Sequence, residues 1–309
     1  MSDMVLTGPD GTNPLGFLCA VGLLRVLHGR VPGQPRPSWR EAEGCWRPVL
    51  HLPEGHPDPV QAVLEDLSSW RDVDPPELTF PPDLRDLKVP PEAFRQSART
   101  ASERAERDRR HADFLAAYAS DVVLDRARRN TKSTALHFTA GQQKFLGIVS
   151  RLAHGVGDDH LREALYGPWQ RQDRLGVLRW GPAGERLQAL MATDPSKEEP
   201  PGVPGAEWLA FQALPLFPCF PVSRSRLATT GFAGGDDALV WPLWSVPITV
   251  ATLRSLLSDP RLMNADLAWQ EARGVACVLR ATVRRSTKGY GTFGAAELVV
   301  GAFRGASRS

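Results

Sequence analysis

No two of the four cysteines, Cys19, Cys45, Cys219 and Cys277, are spaced as C-x-x-C. That scatter argues against a zinc ribbon and a disulfide framework, and makes a reducing cytoplasm the expected setting. Long apolar runs are also missing. The stretch Pro14–Leu27 is interrupted by Arg25 and followed by His28, so it reads as a buried helix, and no membrane partner is expected. The first residues carry no basic region and no small-residue cleavage site, so no secretory leader is expected. The seven histidines form no H-x-x-x-H pair, and no G-x-S-x-G elbow or P-loop occurs. GYGTFG at 289–294 has no helical pattern after it and is not read as a dinucleotide turn. Asp158-Asp159-His160 precedes a helical stretch and reads as N-terminal acids, not as metal ligands. No catalytic residue, metal or cofactor is therefore expected.

An excess of one charge is lacking as well. Net charge is +2, with 42% hydrophobic and 23% charged residues, the profile of a globular chain able to bury its own core. The charges are nevertheless segregated. Residues 51–90 hold nine acids against three bases, residues 125–151 six bases against one acid, and residues 273–309 seven against one. Such segregation predicts a polyanion-binding face on a near-neutral protein.

Periodicity predicts an α+β fold of short mixed or antiparallel sheets with a buried N-terminal helix and several amphipathic helices. Asn13 is a good N-cap and Pro14 suits the first helical position. Strands are expected at Met4–Thr7, Trp46–Leu52, Ser133–Phe138, Leu175–Trp180, Leu227–Phe232, Ala238–Trp241 and Gly274–Arg285. Helices are expected at Val60–Trp70, Glu92–Tyr118, Gly141–His154, Asp158–Tyr166, Glu207–Leu214 and Thr249–Leu257. Pro75–Pro91 reads as a long loop. The composition of DPSKEEPPGVPG suggests an N-terminal α+β domain over 1–193, a linker at 194–205, and a C-terminal α+β region over 206–309 with a basic strand and turn.

Two stretches carry chemistry. In HFTAGQQKFLGIVSRL, residues 137–152, Thr139 and Gln142 fit a capping box, and Phe145, Ile148, Val149 and Leu152 form an apolar face. Capping leaves Gln143 and Lys144 unexplained, along with the upstream Arg126, Arg128, Arg129 and Lys132. A helix N-terminus attracts phosphate, so this cluster is a candidate nucleic-acid contact; a plain capped core helix is the alternative. In RATVRRSTKGYG, residues 280–291, Arg280 and Arg284 share one strand face, followed by Arg285, Lys288 and Tyr290 on a glycine-rich turn. Cations for phosphate and a ring for base stacking suit a nucleic-acid backbone; a solvated sheet face is the alternative. Gly234-Gly-Asp-Asp237 resembles a metal-binding hairpin, but such sites need further carboxylates on a neighbouring strand, and a simple turn accounts for it. The alternative it keeps open is a metal-dependent nucleotide- or nucleic-acid-processing enzyme centred on Asp236 and Asp237.

NPLGFLCAVGLLRVL, HFTAGQQKFLGIV, LRWGPAGERLQALMATDPS, LPLFPCFPVSRSRLATTGF and RRSTKGYGTF occur in that order. Together they resemble proteins of the type I-G (formerly I-U) CRISPR systems: the effector large-subunit family, or a smaller companion described as an extension of the helicase–nuclease. The large subunit is much longer than this chain. The resemblance implies an antiviral-defence protein, a non-catalytic subunit of a Cascade-like effector complex. It would contact guide RNA and target DNA beside the guide-paired region, meet the other effector subunits and help recruit the helicase–nuclease. A protein-interaction adaptor for that enzyme is the remaining alternative. Under this resemblance Gln142, Gln143 and Lys144 have the chemistry to read a flanking motif at base edges.

Overall fold

The computed structural model describes residues 2–31, 33–71, 75–182, 200–235, 237–287 and 289–301. With 37% helix and 25% strand in short antiparallel sheets, the fold is α+β. Its axis is α1, Pro14–Arg30. Asn13 Oδ1 accepts the Leu15 N–H at 2.9 Å and Pro14 fills the first position, as the sequence predicts. This helix is buried on every side from Leu15 to Leu24, so it belongs at the centre of a layered core rather than at its edge.

Two sheets meet α1 at Phe17. The first has the order β1-β3-β2, from Ser2–Val5, Cys45–Leu52 and Arg36–Ala42. The second has the order β11-β10-β9-β8, from Gly291–Phe293, Val275–Arg285, Ala238–Trp244 and Phe232–Ala233, and β12, Glu297–Gly301, also pairs with β10. Indoles join the layers. The Phe17 ring of α1 lies 6.1 Å from Trp39 and 5.8 Å from Trp241. Trp241 Nε1 donates to Gly11 O at 2.9 Å, and Trp244 Nε1 to Pro37 O at 2.8 Å. Trp241 and Trp244 thereby contribute apolar area while their one polar atom stays bonded, whereas the buried Trp39 Nε1 has no hydrogen-bond partner among the described residues.

The helical side comprises α2 Pro59–Ser68, α3 Pro91–Arg104, α4 Arg110–Tyr118, α5 Phe145–Gly155, α6 Asp158–Tyr166 and α7 Pro204–Gln212, with α8 Val250–Ser258 and α9 Leu267–Glu271 packed against the second sheet. Buried α7 touches α1, α5 and α6. A methyl group at Gly22 would overlap the Leu209 carbonyl, so the α1–α7 approach requires glycine there. Two small hairpins, β4 Ala119–Leu124 with β5 Thr131–Ser133 and β6 Cys219–Ser223 with β7 Arg226–Thr229, complete the chain.

Several expectations need correction. The helix expected over Glu92–Tyr118 breaks at residues 105–109, where Asp108 Oδ1 accepts the Arg110 N–H at 2.8 Å; Ala105 is the one apolar residue of that stretch. Residues 134–138 and 175–180 form no strand, although both are apolar and well buried. The sequence reading missed β2 and β4. Of the linker expected at 194–205, residues 194–199 lie outside the described residues. Residues 203–205 are not a solvated linker: Val203, Pro204 and Gly205 are buried at the start of α7. One hydrophobic cluster contains residues from both sides of that boundary, Leu18 and Trp208 among them. No helix among the described residues is long and apolar enough to cross a membrane.

Glu207, in the first turn of α7, is buried, and its Oε2 accepts the Leu178 N–H at 3.0 Å. Burial pushes its carboxyl up to about 7, against the opposing pull of that hydrogen bond and of Arg171 and Arg179. A pKa raised on folding stabilises the protein below the unfolded value and loses that contribution as pH rises through the folded one. We predict that Glu207→Gln flattens the stability–pH profile between pH 5 and 8. Its advantage over wild type should grow as pH rises, by an amount on the order of 3 kcal/mol. Denaturant titrations across that range check this; parallel profiles for the two proteins would contradict it.

Candidate nucleic-acid interface

The 137–144 stretch does not cap a helix as expected. The helix starts at Phe145, with Lys144 at the N-cap position in extended conformation and no side-chain cap. Gly141 is left-handed, φ +61°, which ends any helical path through the turn, and Gln143 N–H bonds back to Ala140 O at 3.2 Å. Thr139 is buried, and its hydroxyl lies 3.1 Å from His137 Nε2 instead of on an N3 amide.

The stretch is held from outside. Trp180 Nε1 donates to Leu136 O at 2.9 Å, and Thr229 Oγ1 accepts the Ala135 N–H at 2.9 Å. His137 Nε2 lies 2.9 Å from Asp86 Oδ1. Burial lowers the His137 imidazole pKa, outweighing the attraction of Asp86, and Lys88 and Arg285 act in the same direction as burial. Burial would raise the Asp86 carboxyl, but the bond and charge of His137, the Leu87 N–H and Lys144 together hold it below its ordinary value. At neutral pH the contact is therefore a neutral imidazole donating to an ionised carboxylate.

The β10–β11 hairpin closes over this stretch. Its tip is tied by Ser286 N–H to Tyr290 O at 2.8 Å and Gly289 N–H to Ser286 O at 2.9 Å. Gly291 N–H donates to Phe138 O at 2.9 Å, and the Phe138 and Phe293 rings stand 4.8 Å apart. Arg285 donates to His137 O at 3.4 Å. Arg179 stacks over the Tyr290 ring at 4.5 Å. Two candidate stretches almost 150 residues apart thus form one surface. Arg285, Gln142 and Lys144 are exposed there and Tyr290 is half-buried, while Arg284, also exposed, precedes Arg285 on the alternate face of β10. Lys144, 57% exposed, is 3.8 Å from Asp86 Oδ2.

Other candidates fall differently. Gln143 Oε1 is buried and has no hydrogen-bond partner among the described residues, so the exposed Gln142 is the better placed amide. Arg280 is half-buried in the middle of β10, and its Nε is likewise buried and unpartnered. Arg126, Arg128 and Arg129 sit exposed at the tip of the β4–β5 hairpin, with Lys132 half-buried in β5, on a different hairpin from Arg285 and Tyr290. Lys288 and Asp236 lie outside the described residues. Asp237 belongs to a tight turn with Gly234 and Gly235 both left-handed, and its carbonyl accepts the Val283 N–H at 2.7 Å. Among the described residues no group of three or more His, Cys, Asp or Glu side chains is placed to hold a metal. The sequence reading missed Asp86, Lys88, His137 and Arg179, because no local pattern joins them.

No protein-family model matches the chain, and no curated protein matches it.

The geometry separates structural from surface roles. Asp86→Ala leaves a buried imidazole N–H without its acceptor and should cost about 1–3 kcal/mol. Lys144→Ala removes a long, exposed ion pair and should cost less than about 0.5 kcal/mol. Urea denaturation of both variants checks the contrast; equal losses would contradict it.

Proposed function

We propose that this chain is a non-catalytic nucleic-acid-binding subunit of an RNA-guided CRISPR effector complex, contacting target DNA beside the guide-paired region. One observation carries the reading: the 137–144 turn and the β10–β11 hairpin tip, far apart in sequence, meet as one cationic surface. Arg285 and Arg179 contact that turn and Tyr290, and Lys88 and Lys144 both act on the Asp86–His137 pair beneath it. Asp86 is the acid at its centre, so positive charge is in excess.

The parts have distinct uses. Arg284, Arg285 and Lys144 supply charge for phosphate oxygens, which fixes position without reading sequence. Tyr290, backed on one face by the Arg179 guanidinium, is a ready stacking platform for a base. Gln142 carries the amide donor and acceptor that suit a base edge. The order of motifs resembling type I-G CRISPR proteins supports placing this surface within an effector complex. The acidic 51–90 region accounts for the low net charge, and it places one acid, Asp86, against this surface.

Anisotropy titrations with labelled single-stranded and duplex DNA over a salt series test the proposal. Arg284→Ala with Arg285→Ala should weaken binding about tenfold or more at moderate salt and reduce the log–log salt slope by roughly one unit per lost phosphate contact. Thermal melts should show the variant folded. Wild-type affinity and slope in the folded double variant would contradict the proposal.

A further inference from the structure

A second surface stands apart from the basic one. Helices α3 and α4 and strands β4 and β6 border an open groove of about 250 Å³. Its walls carry mostly small apolar side chains, Ala98 and Ala101 from α3 and Ala112 and Ala116 from α4, with Phe94 and Leu115 deeper. At one end Cys219 Sγ donates to Ala117 O of α4 at 3.4 Å, and β4 and β6 lie against each other beyond it.

Beyond the groove each strand follows the same plan. Strand β4 exposes Val122 (57%), and β6 exposes Phe220 (50%) and Val222 (52%). Each then reaches a basic tip, Arg126, Arg128 and Arg129 on one hairpin and Arg224 and Arg226 on the other. Among the described residues none of these five guanidinium groups makes an ion pair or a hydrogen bond. The nearby acids are already engaged: Asp121 by Arg95 at 3.1 Å, and Asp125 by the Arg129 N–H at 3.0 Å and the Asn130 amide at 3.3 Å.

We infer that this face docks an amphipathic helix of a protein partner, one whose apolar stripe is flanked by Asp and Glu. Alanines at i, i+3 and i, i+4 let a helix backbone approach closely, and its larger side chains fill the trough. Acids on its flanks meet arginines that have no partner among the described residues. A nucleic acid is less well served, because the groove's one lining ring, Phe94, is buried and Phe220 is the single exposed ring beside it among the described residues, whereas stacking needs planar platforms. A second copy of this chain would bring unpaired arginines against unpaired arginines in an isologous contact. The inference is independent of the nucleic-acid reading, since it uses none of the same residues as Tyr290, Arg285 and Lys144.

The test uses the full chain and a fluorescein-labelled designed helix with a Leu/Phe stripe and Glu flanks. A version with Lys in place of every Glu and a single-stranded DNA oligonucleotide serve as comparators. The acidic helix should bind saturably and the Lys version at least about tenfold more weakly. Phe220→Ser with Val222→Ser, and separately Ala116→Glu, should each weaken the acidic helix about tenfold or more, with melting unchanged. Arg128→Glu with Arg224→Glu, confined to the exposed tips, reads the same result should either of those variants fail to fold. Equal binding of the two helices, or no effect of the substitutions, would overturn the inference. So would oligonucleotide binding, or self-association in sedimentation, that the Phe220 variant abolishes.

Discussion

The segment from Thr134 to Lys144 has neither helix nor strand to satisfy its backbone, yet most of it is buried. A buried amide or carbonyl without a partner is expensive, and the pairing found for this segment builds the candidate site. Trp180 takes the Leu136 carbonyl, Gly291 the Phe138 carbonyl, Arg285 the His137 carbonyl, and Thr229 the Ala135 amide. The partners come from three separate parts of the chain, Arg285 and Gly291 both from the β10–β11 hairpin. The bonds that satisfy the segment also fix the β10–β11 tip over the turn holding Gln142 and Lys144.

Local chemistry made much of the fold legible. Asn13-Pro14 marks the start of α1, and Thr249 caps α8 with its side chain on the Thr252 N–H at 3.2 Å. The alternation from Val275 onward gives β10, and His160 closes α6 by accepting the Gly157 N–H at 3.1 Å, which makes it part of a cap rather than a ligand. What misled was chemistry that fits two environments. Thr139-x-x-Gln142 satisfies the pattern of a capping box, but the Thr139 hydroxyl is bound to His137, whose position depends on Asp86. Likewise 134–138 and 175–180 are apolar enough for strands, but they are buried through Trp180 and Glu207 without a ladder.

The candidate site was half legible. Basic residues and a tyrosine on a glycine-rich turn were visible in the sequence; their meeting with the 137–144 turn was not, because it depends on hairpin docking. Arg126, Arg128 and Arg129 looked like part of the same cluster by sequence proximity and sit on another hairpin. Of the aromatic residues Phe217, Phe220, Trp241 and Trp244, which a partner surface or a core would equally explain, the structure buries all but Phe220. Segregated charge on a nearly neutral chain thus resolves into a basic surface around Tyr290 and an arginine-rimmed apolar face around Phe220.

Under the proposed function the β10–β11 tip and the 137–144 turn act as one nucleic-acid surface. Photo-crosslinking of the full chain to oligonucleotides carrying 5-iodouracil, with the adducts located by mass spectrometry, tests it most directly. Adducts are expected on Tyr290 and within residues 137–144, both lost at high salt. Saturable binding with adducts confined to Phe220 or to the β4–β5 hairpin would contradict it.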